Sequence, residues 1–365
     1  MSTETARVLE DAAAIRRRDP GAMLDKIGRF ADQMSIAWGL SRSLELPERH
    51  RSASAVAVLG MGGSAVCGDL VRQVFSDRLT VPLVSVRDYE LPAWVGESTL
   101  VVAVSHSGAT EETIAAFTVA LERRCPVAVI TTGGPIGDVA ARVDLPRIVY
   151  PNETPPRASL GYTMVSLAGL LERAGMLPLT DQQVAAGVEA ARSVGRVCGV
   201  DVATDANMAK QMAWSLLDRL PVIEGAGFLA AVARRWKAQL NENSNSTASA
   251  EELPEATHNT VVGYDQPDTL RDHHYMVFLE GSSDNKRNVR RARLSREMLD
   301  AVAISNQRIM FDQDGRFAQA CAAIALGDYV SFYLAMLYGI DPSATPALTV
   351  VKETLAEFDA THGDD

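Results

Sequence analysis

The sequence has 365 residues, of which 47% are apolar and 22% charged, and its formal net charge at pH 7 is −11. This length is sufficient for two domains with hydrophobic cores, and the composition is typical of a soluble globular protein. The acidic balance argues against nucleic-acid binding, since no block of lysine and arginine offsets it locally. The most basic run, RRARLSR at 290–296, fits the solvated face of a helix.

The chain opens on a charged stretch without the apolar core of a secretory signal. Its most apolar segment, 320–340, carries Asp328 at the middle, which favours a buried core helix over a membrane span. The cysteines are scattered without CxxC spacing and indicate reduced core thiols rather than a disulfide framework or metal site: Cys67, Cys125, Cys198 and Cys321. We therefore expect a cytoplasmic protein that binds no membrane.

Residues 1–50 are predicted to be helical, and the stretch 23–44 is amphipathic with the period of a helix. Short apolar runs then alternate with longer helical patterns, at 55–63, 81–86, 99–108, 126–134 and 146–150. Buried runs separated by helices are typical of a parallel sheet covered on both faces. We predict a doubly wound αβα sandwich over residues 51–185, in the α/β class.

The same pattern occurs a second time along the chain. The stretch 220–242 has the strand, Gly-x-Gly and helix order of 54–75. HYMVFLEGSS at 274–283 corresponds to TLVVAVSHSG at 99–108, and 302–307 supplies another strand. We therefore predict an internal duplication, with a second αβα sandwich over residues 195–365.

Small polar residues follow two strands of the first half. GMGGSA at 60–65 ends the first strand, and SHSGAT at 105–110 ends the third. In parallel α/β sheets, ligands bind beyond the carboxyl ends of the strands, where helices direct unpaired N–H groups and a positive dipole end at the ligand. This predicts a phosphate cradle whose hydroxyl donors are Ser64, Ser105, Ser107 and Thr110.

Two other interpretations of these motifs stay open at the level of sequence. The hydroxyl residues also fit ordinary N-caps of the two helices. A Gly-x-Gly-Gly turn after a strand also fits a dinucleotide site, although no acidic residue stands in a clean ribose-binding position after the second strand. Arg87 and Asp88 leave that second interpretation open.

GMGGSA and SHSGATEET resemble the phosphosugar-binding motifs of SIS (sugar isomerase) domains. Four further motifs occur in order: PPRASLGY (155–162), NEN (241–243), LPEATHNTVVGY (253–264) and YGIDP (338–342). The set, over roughly residues 50–355, resembles the bifunctional phosphoglucose/phosphomannose isomerase family. The resemblance implies tandem SIS-type domains, hexose 6-phosphate substrates, no metal or other cofactor, and a homodimer.

The resemblance also implies roles for particular residues. Phosphate would be bound by the four hydroxyl residues of the cradle, and the further substrate-binding candidates are Gly62, Gly63 and Thr345. The implied catalytic residues are Glu242 as base, His258 for ring opening, Arg157 against the reacting carbons, and Lys352 near the C-terminus. His106 stands where the family often has tyrosine.

These residue types suit aldose–ketose isomerisation. A carboxylate partly shielded from water can move a proton between C2 and C1, and Glu255 is an alternative to Glu242 for this role. An arginine stays charged and can stabilise a cis-enediolate, while a histidine that titrates near neutrality suits ring opening. Because C2 loses its stereocentre in the enediol, glucose 6-phosphate and mannose 6-phosphate would both interconvert with fructose 6-phosphate.

A second class of function is a non-catalytic phosphosugar sensor, because SIS folds also serve as regulatory modules. Such a sensor commonly carries a helix-turn-helix, and residues 1–50 contain no convincing one. The sequence favours the isomerase.

Overall fold

The computed structural model describes residues 5–362. The N-terminal segment is helical, as predicted, with a 3-10 turn at Thr5–Glu10 followed by α1 (Ala12–Arg18), α2 (Met23–Gly28), α3 (Phe30–Arg42) and α4 (Glu48–Arg51). The single amphipathic helix predicted over 23–44 is thus two helices. The break follows Gly28, a residue with low helix propensity.

The first sheet has five parallel strands in the order β2-β1-β3-β4-β5. The strands are β1 (Ala55–Leu59), β2 (Leu83–Val86), β3 (Thr99–Ser105), β4 (Val127–Thr131) and β5 (Arg147–Val149). The helices are α5 (Gly62–Val74), α6 (Glu111–Glu122), α7 (Gly134–Arg142) and α8 (Leu160–Arg173). α5 and α8 cover one face while α6 and α7 cover the other, which confirms the doubly wound prediction.

The second sheet has four parallel strands in the order β7-β6-β8-β9. They are β6 (Leu220–Ala226), β7 (Ser249–Leu253), β8 (His274–Gly281) and β9 (Ser305–Phe311). The helices of this half are α9 (Asp181–Val197), α10 (Met208–Leu216), α11 (Ala230–Ser244), α12 (Leu270–His273), α13 (Lys286–Ala301), α14 (Arg316–Tyr338) and α15 (Pro346–His362). Its strand order repeats that of the first four strands of the first sheet, as a duplication requires.

Two strands differ from the sequence prediction. β7 was not predicted, because Glu251 and Glu252 interrupt the apolar pattern of this edge strand. β9 begins at Ser305 rather than at residue 302, since α13 and the turn after it extend to Ala303. The predicted interval between the two sandwiches, 185–195, lies inside α9, which packs on α3 and α14.

α14 is the central helix of the core. By length and composition it could span a membrane, yet its apolar window is completely buried within the protein. This confirms the prediction of a buried core helix for 320–340. The four cysteines are likewise buried free thiols, as predicted.

Candidate active site

The phosphate-cradle motifs lie at the topological switch point of the first sheet. From β1 the chain continues to β2 at one edge, whereas from β3 it continues to β4 on the opposite side. A crevice therefore forms at the carboxyl ends of β1 and β3. The two loops there are in close contact, since a Cβ on Gly60 would lie 2.9 Å from the carbonyl oxygen of Val104.

The cradle hydroxyls do not cap the helices that follow them. Neither α5 nor α6 has a side-chain N-cap hydrogen bond. Thr110 is the N-cap residue of α6, yet its hydroxyl is bonded to Ser105 Oγ at 3.0 Å. Ser107 Oγ is exposed and accepts from the N–H of Ala109 at 3.2 Å, and Ser64 lies in the first turn of α5. Helix N–H groups thus remain open to an anion.

Two glycines shape this crevice by close backbone approach. Gly108 has φ +64°, and a Cβ there would lie 1.9 Å from the carbonyl oxygen of Gly133. A Cβ on Gly63 would lie 3.0 Å from the carbonyl oxygen of Pro156, so the PPRASLGY segment packs directly on the start of α5. Gly62, in contrast, faces open space. The close approach places Arg157 beside the cradle.

Arg157 occupies a 3-10 turn at Pro156–Ala158 and is 6% exposed. Its Nε donates to Asn243 Oδ1 at 2.9 Å, and its Nη2 donates to the carbonyl oxygens of Pro342 at 2.7 Å and Ser343 at 3.0 Å. No described residue accepts a hydrogen bond from Nη1, which leaves its two N–H groups for a ligand. The guanidinium is therefore fixed on one side and free on the other.

Glu242 lies half-buried near the end of α11, close to Arg157. Burial lowers the pKa of Arg157, and the negative charge of Glu242 opposes this shift. The alternative base, Glu255, is exposed in the 3-10 turn Glu255–His258, where it accepts from Asn259 Nδ2 at 3.0 Å. The structure thus brings Glu242 to Arg157 and gives Glu255 a different partner.

Two other predicted catalytic residues are not bonded to this pair among the described residues. His258 is exposed and lines a groove of about 520 Å³ against α13. Lys352 is exposed on α15, and Thr345 is half-buried just before that helix. Among the described residues, neither His258 nor Lys352 forms a hydrogen bond or an ion pair with Arg157 or Glu242.

His106, also at this edge of the sheet, has both ring nitrogens engaged by the protein. Nε2 lies 3.1 Å from Asn152 Oδ1 and therefore carries the proton, while Nδ1 lies 3.1 Å from the hydroxyl of Tyr150. Burial lowers its pKa, which keeps the ring neutral. His106 ties the chain after β5 to the cradle loop.

The two residues that left the dinucleotide interpretation open after β2 both form hydrogen bonds within the chain. Arg87 Nη2 donates to Asp69 Oδ2 on α5 at 2.6 Å. Asp88 Oδ1 accepts from the backbone N–H of Tyr89 at 2.8 Å. Both side chains are engaged with their own chain.

The second sheet has a corresponding switch point between β6 and β8, but side chains fill it. Gln319 of α14 donates from Nε2 to Ser282 Oγ at 2.9 Å and to Ser283 Oγ at 3.0 Å. A Cβ on Gly281 would lie 2.5 Å from the ring of Phe228. The serines of this copy are thus satisfied internally, so the duplicated fold offers an open cradle only in its first half.

Sequence reasoning missed the contacts of Arg157 with Asn243 and with the carbonyl oxygens of Pro342 and Ser343, although Asn243 lies in NEN, Pro342 ends YGIDP and Ser343 follows it. The buried amide of NEN and the loop of YGIDP orient Arg157. The NEN and YGIDP motifs marked these segments in the sequence, but the sequence did not reveal that they contact Arg157.

Comparison with known proteins agrees with this geometry. Residues 205–355 match the family model of the bacterial phospho-glucose isomerase C-terminal SIS domain. A bifunctional phosphoglucose/phosphomannose isomerase of Caldicellulosiruptor bescii is 32% identical over 337 residues, covering 92% of this chain and 99% of that protein. The chain belongs to the bifunctional phosphoglucose/phosphomannose isomerase family.

Solved structures show that this family member has the fold of other SIS-type proteins. A hypothetical protein of Thermus thermophilus superposes with a TM-score of 0.76 at 16% identity, covering 97% of this chain and 95% of that one. A glucose-6-phosphate isomerase of Chlamydia trachomatis superposes with a TM-score of 0.65 at 15% identity, covering 99% of this chain and 79% of that one. At these identities the likeness shows the fold alone.

Proposed function

We propose that the protein is an aldose–ketose isomerase that interconverts glucose 6-phosphate and mannose 6-phosphate with fructose 6-phosphate through a cis-enediol. The observation that carries this proposal is Arg157, whose guanidinium is held by three hydrogen bonds with Nη1 left free. The negative charge of Glu242 acts on this guanidinium, and the segment that carries Arg157 packs on the start of α5 beside the open cradle. A fixed cation, a base and a phosphate site are the parts that this reaction needs.

The cradle would hold the substrate phosphate through its hydroxyls and the open N–H groups of α5 and α6. Glu242 takes the proton from C2 of the opened aldose, the C–H electron pair becomes the C1–C2 double bond, and the C1–O1 π pair moves onto O1. Arg157 Nη1 donates to the enediolate oxygens while the O2 hydroxyl proton passes to O1. Glu242 then returns its proton to C1 as the O2 electron pair forms the C2 carbonyl, which completes the ketose. In reverse, the face of C2 that receives the proton decides which aldose forms.

The test is a coupled assay that quantifies both aldoses from fructose 6-phosphate, run in parallel with deuterium exchange in D₂O. We expect both epimers and solvent deuterium in recovered fructose 6-phosphate. If mannose 6-phosphate forms at less than about a thousandth of the rate of glucose 6-phosphate, the enzyme is not bifunctional. Such a ratio corresponds to roughly 4 kcal/mol of discrimination between the two epimers. A phosphosugar sensor would bind fructose 6-phosphate without incorporating deuterium.

We infer further that the enzyme works as a homodimer in which a second copy covers α15. This helix presents apolar side chains that are 49–60% exposed: Leu348, Val350, Val351 and Leu355. An apolar stripe of this kind favours a protein interface. Val351→Glu should produce monomers by light scattering, whereas Val143→Glu, at an exposed valine after α7, should not. An unchanged oligomer in Val351→Glu would exclude this helix as the interface.

A cytoplasmic location is our further proposal, supported by four buried free thiols and a phosphorylated substrate. Cell fractionation tests it, and recovery in a membrane or secreted fraction would contradict it.

A further inference from the structure

Arg157 is connected to α14 by a buried ring of hydrogen bonds. The first branch begins at its backbone carbonyl oxygen, which accepts from Arg235 Nη2 at 2.6 Å. The same Nη2 lies 3.1 Å from each carboxylate oxygen of Asp328. Gln239 Nε2 also donates to Asp328 Oδ1, at 2.9 Å.

The second branch begins at the guanidinium. Nε donates to Asn243 Oδ1 at 2.9 Å, Asn243 Nδ2 donates to Ser331 Oγ at 3.0 Å, and Ser331 Oγ donates to the carbonyl oxygen of Asp328 at 2.9 Å. Because arginine Nε can only donate, it fixes which end of the Asn243 amide faces it. Both branches therefore meet at Asp328.

Every connecting residue of the ring is at most 3% exposed: Arg235, Asp328, Gln239, Asn243 and Ser331. Arg235 Nε and Gln239 Oε1 have no hydrogen-bond partner among the described residues. The bonds that the ring does make have few alternatives, because each further unpaired buried group is costly. Asp328 also neutralises the positive charge of Arg235. Burial and the positive charge of Arg235 both lower the pKa of Arg157, so an unneutralised Arg235 would disfavour a second cation beside it.

We propose that Asp328, Arg235 and Ser331 are positioning residues that hold the Arg157 guanidinium towards the reacting carbons. None of them needs to touch the substrate. The expected loss of kcat rests on the proposed function. The expected displacement of the Arg157 guanidinium rests on the ring geometry alone. A displacement of about 1 Å at a catalytic group can cost on the order of 10²-fold in rate, which sets the scale of the effect.

The ion pair could instead serve only to join α11 to α14, and Trp236 provides the matched control for that role. Trp236 is buried at the same helix interface, donates from Nε1 to the carbonyl oxygen of Ala323 at 2.8 Å, and packs on Gly327. It has no hydrogen bond to the ring in the described structure. Trp236→Phe therefore weakens the interface and leaves the ring intact.

The experiment measures kcat, KM and Tm for Ser331→Ala, Asp328→Asn and Trp236→Phe. A hydroxamate analogue of the enediolate and inorganic phosphate serve as competitive inhibitors. We expect Ser331→Ala and Asp328→Asn to lower kcat roughly 10- to 100-fold, with KM within about threefold. Inhibition by the hydroxamate should weaken by a similar factor, and inhibition by phosphate should not change. Trp236→Phe should lower Tm while kcat stays within about twofold.

A wild-type kcat in Ser331→Ala would overturn the positioning role. It would also be overturned if Trp236→Phe and Ser331→Ala had the same Tm and lost the same fraction of kcat. A crystal structure of Ser331→Ala separates this inference from the proposed function, because it requires no activity. A displaced Arg157 guanidinium supports the inference even if the wild-type protein is not an isomerase. If the Arg157 guanidinium of Ser331→Ala keeps its wild-type position and its hydrogen bond to Asn243, the inference is overturned.

Discussion

At the scale of single residues, Arg157 and Glu242, the cation and the base of the proposed mechanism, differ in how tightly the protein holds each side chain. Three hydrogen bonds fix the guanidinium, while Glu242 has none in the described structure and is half-buried. A stabilising cation benefits from rigidity, since no reorganisation is then needed as charge develops. A base that serves two adjacent carbons benefits from some freedom of its carboxylate.

Glu242→Gln tests the base directly. We expect kcat for fructose 6-phosphate to fall about 10²–10⁴-fold, because the amide cannot take a proton, while KM and Tm change little. Glu255→Gln is the matched control and should keep kcat within about twofold. Retention of more than about a tenth of the wild-type kcat by Glu242→Gln would move the base elsewhere.

Glu224, on β6, makes stability depend on pH. It is 1% exposed, and among the described residues neither carboxylate oxygen has a hydrogen-bond partner. Burial, with the nearby charges of Glu251 and Glu280, raises its pKa from 4.5 to about 8. Because the folded state holds this proton more tightly than the unfolded chain, stability is lost as pH rises from about 4.5 to about 8.

Glu224→Gln should therefore raise Tm by several degrees at pH 8 and leave it nearly unchanged at pH 4, since the amide mimics the protonated acid. Thermal unfolding across pH 4–9 measures this difference. Glu122→Gln, at an exposed carboxylate on α6, should show no such pH-dependent gain. A Glu224→Gln gain that is equal at pH 4 and pH 8 would show that ionisation is not its cause.

At the scale of elements, the two sheets have the same strand order but different switch points. The first leaves serines and uncapped helices around a crevice, whereas the second has its serines bonded to Gln319 and Phe228 against Gly281. One fold thus leaves an open crevice in one copy and fills the corresponding place with side chains in the other. The difference depends on two large side chains, Gln319 and Phe228.

Ser105→Ala and Ser107→Ala should each raise KM for fructose 6-phosphate more than they lower kcat, because phosphate contacts exist in the ground and transition states alike. Ser282→Ala, at the corresponding position of the second sheet, is the control and should leave KM within about twofold. Steady-state kinetics and inhibition by inorganic phosphate measure both. A larger rise of KM in Ser282→Ala than in Ser107→Ala would place the anion site in the second half.

At the scale of the whole molecule, two predicted catalytic residues, His258 and Lys352, make no hydrogen bond or ion pair with Arg157 or Glu242 in the described part of the chain. His258 faces the groove against α13, which the cations Lys286, Arg287, Arg290 and Arg291 also line. Lys352 lies on the exposed helix α15. A homodimer formed across α15 would create a second environment for both side chains, so we expect His258 to act in the site of the other copy.

Co-expression of Glu242→Gln with His258→Ala tests that arrangement. If each site combines Glu242 of one chain with His258 of the other, a mixed dimer has one intact site, and the mixture should recover about a quarter of wild-type activity. Each variant alone provides the inactive reference. No recovery in a mixture shown to contain mixed dimers would place His258 in the site of its own chain.

The alternation of apolar runs and helical patterns determined most of the fold, because buried parallel strands and amphipathic helices have local periods that a sequence shows directly. The duplication was visible for the same reason, and so was the position of the small polar motifs directly after strands. The edge strand β7 was not, since Ser249, Glu251 and Glu252 interrupt its apolar pattern and its pairing with β6 decides its conformation.

The orientation of the site was decided only by the tertiary structure. Arg157 is held by groups 86 and 185 residues further along the chain, and no local period records such contacts. The sequence likewise placed the serines of both switch points at equivalent positions, while packing of α14 closed only the second one with Gln319. Local propensity determines where strands and helices form, but side-chain packing between distant elements determines which of their ends can bind a ligand.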